Sequence, residues 1–175
     1  CELARLAIED PAKRRGISEV LKITDFRDRI LVIGRFGGWS LVEPGLARIV
    51  EEHPDETAIR TTLAKAMRHN GKYDEAIAQF REVVRRKPDD DHALADLAGC
   101  LYERGRFSDA LVVLKRLAAL QESDIPSSDR VEWVRSIEVM IAMEAVFPRF
   151  LKGEYQPKNK EEREALIFLC LHAGE

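Results

Sequence analysis

Pro54 and Pro88 stand 34 residues apart (88 − 54), and the residues around them step forward by the same interval. Leu63 maps onto Leu97, Ala64 onto Ala98, Gly71 onto Gly105, Tyr73 onto Phe107 and Ala76 onto Ala110. A fixed period of ~20–50 residues marks a stacked repeat, in which no unit buries its own apolar face without a neighbour. That interval sets the architecture before any local feature is weighed.

Residues 57–90 divide into two apolar-periodic runs around a turn. Ile59, Leu63, Ala64 and Met67 recur at helical spacing and gather on one face. The sequence His69-Asn70-Gly71-Lys72 stops this run, because Gly enters the left-handed conformation at a helix end without a steric penalty. Asp74 is placed to cap a second run, striped by Ala76, Ile77, Phe80, Val83 and Val84. Pro88 closes the unit, since the residue before a proline is pushed out of helical geometry. Ala64 and Ala76 fall where the two helices of a hairpin must approach closely, while Tyr73 and Phe80 supply bulk between units. Residues 91–124 repeat the design with Leu94, Leu97, Ala98 and Leu101, then Gly105, then Ala110, Leu111, Leu114 and Leu117.

On these positions the unit resembles the tetratricopeptide repeat, a helix pair recurring every ~34 residues. The resemblance implies an all-α, right-handed solenoid of helical hairpins with irregular helical flanks. It is carried by Leu63, Ala64, Met67, Gly71, Tyr73, Ala76, Phe80 and Pro88 in residues 57–90. In residues 91–124 it is carried by Leu97, Ala98, Leu101, Gly105, Phe107, Ala110 and Leu114, with Glu122 in place of the terminal Pro. Residues 23–56 form a degenerate copy: Gly37, Trp39, Leu46 and Pro54 keep the register, but Val42 replaces the small residue. Pro44 and Gly45 interrupt its second helix, and a Pro costing ~3 kcal/mol in a helix interior makes that helix start late or kink.

Residues 1–22 read as a helical flank outside the period. Residues 125–159 hold a long helix from about Asp129 to Phe147, then an irregular stretch with Pro148, Gly153 and Pro157. Residues 160–175 read as the first helix of a truncated repeat, with Leu166, Ile167 and Cys170 on its apolar face and Gly174 at the turn position. With Cys1 at one end and this half-hairpin at the other, the chain reads as a segment of a longer protein. The block from Phe147 through Leu166 is also similar to segments of large bacterial serine/threonine kinases that carry tetratricopeptide arrays, although no kinase catalytic motif is present.

With 45% hydrophobic and 34% charged residues, the chain can bury a helical core under a soluble exterior. A net charge of −3 argues against a nucleic-acid partner, for which a basic domain is expected. No apolar run reaches the ~18–20 residues that span a bilayer, so no membrane partner is expected. The three cysteines, Cys1, Cys100 and Cys170, are far apart and odd in number, which points to a cytoplasmic setting.

No catalytic, metal or cofactor constellation stands out. His53, His69, His92 and His172 pair with no other His or Cys at ligand spacing. Cys100 falls within a first helix and reads as a packed thiol. Gly34-Arg35-Phe36-Gly37-Gly38 superficially resembles a phosphate loop but lacks the Lys-Ser/Thr ending and reads as a hairpin turn. Asp89, Asp90 and Asp91 sit at a helix start, where the helix dipole favours them.

The resemblance instead directs attention to the concave groove, lined in this family by outer positions of each first helix. Carried over by position, these are Thr24, Arg27, Leu31 and Arg35, then Ala58, Thr61, Lys65, Arg68 and His69, then His92, Ala95, Gly99, Tyr102 and Glu103. The resulting expectation is a non-enzymatic protein-interaction module of a larger bacterial protein, binding a peptide or helix in that groove. Arg27, Arg35, Lys65, Arg68, His69 and Tyr102 are the candidate ligand residues. Their charge suits an acidic segment or a C-terminal carboxylate packed on Tyr102. Leu31 and Asp96 replace residues of the Lys/Asn/Arg clamp with which some relatives grip chaperone tails, so such tails are not expected. The alternatives are the regulatory or docking arm of a bacterial serine/threonine kinase, and a self-assembly element.

Overall fold

The computed structural model describes residues 38–172. Among them are seven helices and no strand, matching the all-α, helical-hairpin class expected from the period. The chain divides into two compact units, residues 1–88 and 89–175.

The first unit holds α1 (Trp39–Glu52), α2 (Thr57–His69) and α3 (Tyr73–Arg86), each packed on the next. Val42, Leu46 and Val50 of α1 close on Ile59, Leu63 and Ala66 of α2, with Trp39, Ala47, Ile49 and Met67 around them. Ala64 and Ala76 are fully buried, as expected where helix axes converge, and Phe80 is completely enclosed. The second unit holds α4 (Asp91–Glu103), α5 (Phe107–Ala118), α6 (Ser127–Leu151) and α7 (Lys160–His172). Here α5 packs on α4, α6 on α5, and α7 on α6. Leu94, Leu101, Leu117 and Cys100 fill its interior, so Cys100 is the packed thiol expected.

The turn glycines act as the spacing requires. Gly71 has φ +75 and Gly105 has φ +66. Gly71 N–H donates to the Arg68 carbonyl at 3.0 Å and Lys72 N–H to that of Met67 at 2.9 Å, while Gly105 to Tyr102 and Arg106 to Leu101 repeat the pattern at 2.9 and 2.8 Å. This pair of bonds occupies carbonyls that the end of an α-helix leaves open. Gly153, at φ +75, makes the same pair, donating to Phe150 while Glu154 donates to Arg149, both at 2.9 Å. An aromatic residue stands two positions beyond each glycine: Tyr73, Phe107 and Tyr155. The turn that precedes α7 is therefore of the kind that precedes α3 and α5, 48 residues after Gly105 (153 − 105) instead of 34.

Several local expectations are corrected. Pro44 does not delay α1, which begins at Trp39 and carries Pro44 inside it. Pro148 does not end α6, which continues to Leu151. Each proline forfeits one backbone hydrogen bond, to Ser40 and to Glu144 respectively, and the packing of the flanking turns outweighs that loss. Leu46 and Val50 beyond the first proline are buried, and Phe147 and Phe150 around the second stack at 6.4 Å. Asp74 does not cap α3; Lys72 holds the cap position, and Asp74 lies in the first turn, where its charge still complements the helix dipole. In α7, Leu166 is buried but Ile167 and Cys170 are exposed. Residues 1–37 and 173–175, with the helical flank, much of the degenerate copy and Gly174, lie outside the described residues.

Candidate functional site

Lys65, Arg68 and His69 occupy the last turns of α2 at i, i+3 and i+4, so the helix presents them on one side. Lys65 and Arg68 are half-buried, and each is engaged by neighbouring groups. The exposed His69 ring stacks on the Trp39 indole, with centroids 4.9 Å apart and planes 3° from parallel. Arg27 and Arg35 lie outside the described residues. Tyr102 belongs to the other unit, where its ring meets Phe107 at 5.6 Å and Phe168 of α7 at 4.7 Å. Burial pushes the Tyr102 hydroxyl pKa up, and the neighbouring Glu103 carboxylate adds to the effect. One face of this tyrosine is therefore covered from within its own unit.

The turn after His69 carries a polar cluster with no counterpart in the sequence expectations. Glu43, nearly buried in α1, accepts from Asn70 Nδ2 at 2.5 Å and from Lys72 Nζ at 2.7 Å. Burial works to raise its pKa, but the hydrogen bonds from Lys72 and Asn70, helped by the ammonium charge, hold it below the ordinary carboxylate value. This ties α1 to the turn between α2 and α3 and flanks the cationic side of α2. A glutamate one position before Pro44 gives no periodic signal, so pattern reading passes over it.

At the start of α4, the acidic run is structural. Asp90 caps the helix, accepting from the Ala93 N–H at 2.9 Å. Asp91 accepts from Ser123 Oγ at 2.7 Å, the Asp124 N–H at 2.8 Å and the His92 N–H at 2.7 Å. The Ser123 bond foremost holds its pKa below the ordinary value, against the upward pull of burial. Asp91, His92 and Asp124 bring potential ligand atoms within 4.8 Å of one another, but both Asp91 oxygens already accept internal hydrogen bonds.

The second unit also contains two clefts on either side of Phe168. The first, of about 380 Å3, is lined by Glu103, Arg104, Gly105 and Phe107 at the α4–α5 turn, Glu144 and Phe147 of α6, and Phe168, Leu169 and His172 of α7. The second, of about 310 Å3, lies among Tyr102, a stretch of α6 from Glu132 to Met140, and Glu161, Glu164, Ala165 and Phe168 of α7. Sequence reasoning found Tyr102 but missed Phe168, whose only signal was a place within an apolar run.

Residues 67–127, within the Gly-capped helix hairpins that carry alanines at the crossing, match the family described as tetratricopeptide repeat. Such repeats are a scaffold fold that generally mediates protein–protein interaction. The chain is similar to cellulose synthase operon protein C of Pseudomonas fluorescens (strain SBW25), 24% identical over 132 residues. That alignment covers 70% of this chain and 10% of the relative, so the matched region is about a tenth of that protein's length. Among the described residues, no helix is long and apolar enough to cross a membrane.

Proposed function

We propose that the chain is a protein-interaction module working within a larger protein, and that the Lys65, Arg68 and His69 side of α2 receives an acidic segment of its partner. The observation that carries this reading is the shared register of three cationic or ionisable side chains on one side of a first helix in a repeat whose kind generally binds proteins. Arg27 and Arg35 extend the cationic set in sequence. A guanidinium or ammonium meeting a carboxylate forms a charge-assisted hydrogen bond, roughly twice as strong as a neutral one. The name of the Pseudomonas relative makes components of a polysaccharide-synthesis assembly the first partners to try.

The test is affinity capture with wild type beside the Arg27→Glu, Lys65→Glu, Arg68→Glu variant, read by mass spectrometry. Proteins held by the wild type and released by the variant support the α2 face as the binding site. An identical catch from both refutes it. Mass in solution as a function of concentration separates this reading from self-assembly, which predicts growth with concentration.

A further inference from the structure

The groove of the second unit has a chemistry opposite to that of the α2 face. Its floor is α6, and α7 reaches across to Tyr102 and Phe107 through Phe168, with centroids 4.7 and 6.3 Å away. The two clefts beside this bridge are lined by five glutamates, Glu103, Glu132, Glu144, Glu161 and Glu164, against two arginines, Arg104 and Arg135. Of these glutamates all but Glu103 are exposed. Glu164 among them pairs with Lys160 at 3.5 Å, as Glu82 does with Arg85 and Arg86 and Glu43 with Lys72 elsewhere.

Aromatic rings carry negative potential on their faces and draw cations, most strongly where water is partly excluded. In the first cleft the half-buried Phe147 and Phe168 supply such surfaces beside Glu103 and Glu144, Phe107 being buried, and the His172 ring stacks on Phe168 at 4.0 Å. A carboxylate-bearing or phosphate-bearing ligand would meet a field of its own sign here. A guanidinium or ammonium on an aliphatic stem matches both the rings and the rim.

We propose that this groove docks a basic segment of a partner protein. One arginine or lysine side chain seats against Phe147 and Phe168 beside Glu103 and Glu144. A second reaches Glu132 and Glu161 on the far side of Phe168. None of these residues belongs to the cationic set on α2, so either site can fail without the other.

The experiment is a fluorescence-anisotropy titration of the whole chain with a labelled oligo-arginine peptide and an oligo-glutamate peptide of equal length. Wild type is expected to bind the first through this groove, whereas binding of the second belongs to the α2 face and is expected to be insensitive to changes in the groove. The Glu103→Gln/Glu144→Gln and Glu132→Gln/Glu161→Gln variants are each expected to weaken oligo-arginine binding about tenfold, the loss of about one charge-assisted contact. The control Glu51→Gln/Asp89→Asn removes the same charge at exposed positions outside the groove and is expected to stay within about twofold, as a screened long-range effect. Phe168→Leu keeps every charge and is expected to weaken binding severalfold through the lost ring face. Equal losses in control and groove variants, or no oligo-arginine binding by the wild type, would overturn the proposal.

Discussion

Replacing Glu43 by alanine removes the carboxylate that ties α1 to the turn after α2. Asn70 Nδ2 donates to it at 2.5 Å from a partly buried position, and Lys72 Nζ donates at 2.7 Å from a side chain that is 50% exposed. A hydrogen bond to a charged acceptor contributes ~1.5–3 kcal/mol net when both partners are out of water. The lysine's share is smaller, because its ammonium is well solvated and screened. Burial of the carboxylate offsets part of the sum, which leaves a loss of about 2 kcal/mol, most of it through Asn70. For a chain of this size that lowers the thermal midpoint by about 4–8 °C. Lys72→Met is expected to cost only a small part of this, so a double-mutant cycle assigns the two shares.

The same carboxylate sets a pH dependence. Its folded-state pKa lies below the ordinary 4.5, because hydrogen bonds from Lys72 and Asn70 outweigh the upward push of burial. A depressed folded pKa gives stability that is complete above the unfolded value and is lost as pH falls through the folded one. The gap between wild type and Glu43→Ala in urea unfolding is therefore widest above about pH 4.5 and closes in more acidic solution. A gap under ~0.5 kcal/mol at neutral pH, or one that widens on acidification, would refute the argument.

Three further outcomes follow from the packing. Gly45 and Gly105 both have open space where a Cβ would go, but Gly45 is helical and Gly105 sits at φ +66. Alanine at 45 should stabilise by ~0.5–1 kcal/mol while alanine at 105 should destabilise by ~1–2 kcal/mol, and matched unfolding curves check the opposite signs. Phe80 is fully enclosed, so Phe80→Ala should cost ~3–5 kcal/mol, measured by urea unfolding with far-UV circular dichroism. Asp90→Ala removes the acceptor for the Ala93 N–H and should cost ~1 kcal/mol, with faster amide exchange confined to the first turn of α4.

The repeat is written in the chain where geometry admits few residues. Only glycine takes the left-handed turn easily, so Gly71 and Gly105 announced both hairpins, and only a small side chain fits where Ala64 and Ala76 are buried. The prolines misled because a local rule met a tertiary one: Pro44 and Pro148 each cost one helical bond, and the burial of Leu46 and Val50 or the stacking of Phe147 on Phe150 keeps the helix going. Gly153 was hidden by arithmetic, since its turn is of the repeated kind but falls off the 34-residue count. Lys65, Arg68 and His69 were legible as one side of a helix from spacing alone. Glu43 and Phe168 were not, because their partners lie 27 to 29 residues away in one case and across a gap between helices in the other.

Arg130 is buried at the start of α6, and its Nη1 donates to the carbonyls of Leu117 and Leu120 at 2.8 Å each. The seat of α6 against the end of α5 is thus held by a side chain reaching back over the connection. Lengthening a loop whose ends are already clasped costs only ~0.6 kcal/mol per doubling. The join between α5 and α6 is therefore a place where an insertion between Leu120 and Ser123 leaves the neighbouring helices in register, while Ser123 and Asp124 stay bound to Asp91. A lineage that carries such a clasp can vary the length of one copy without redesigning the copies around it.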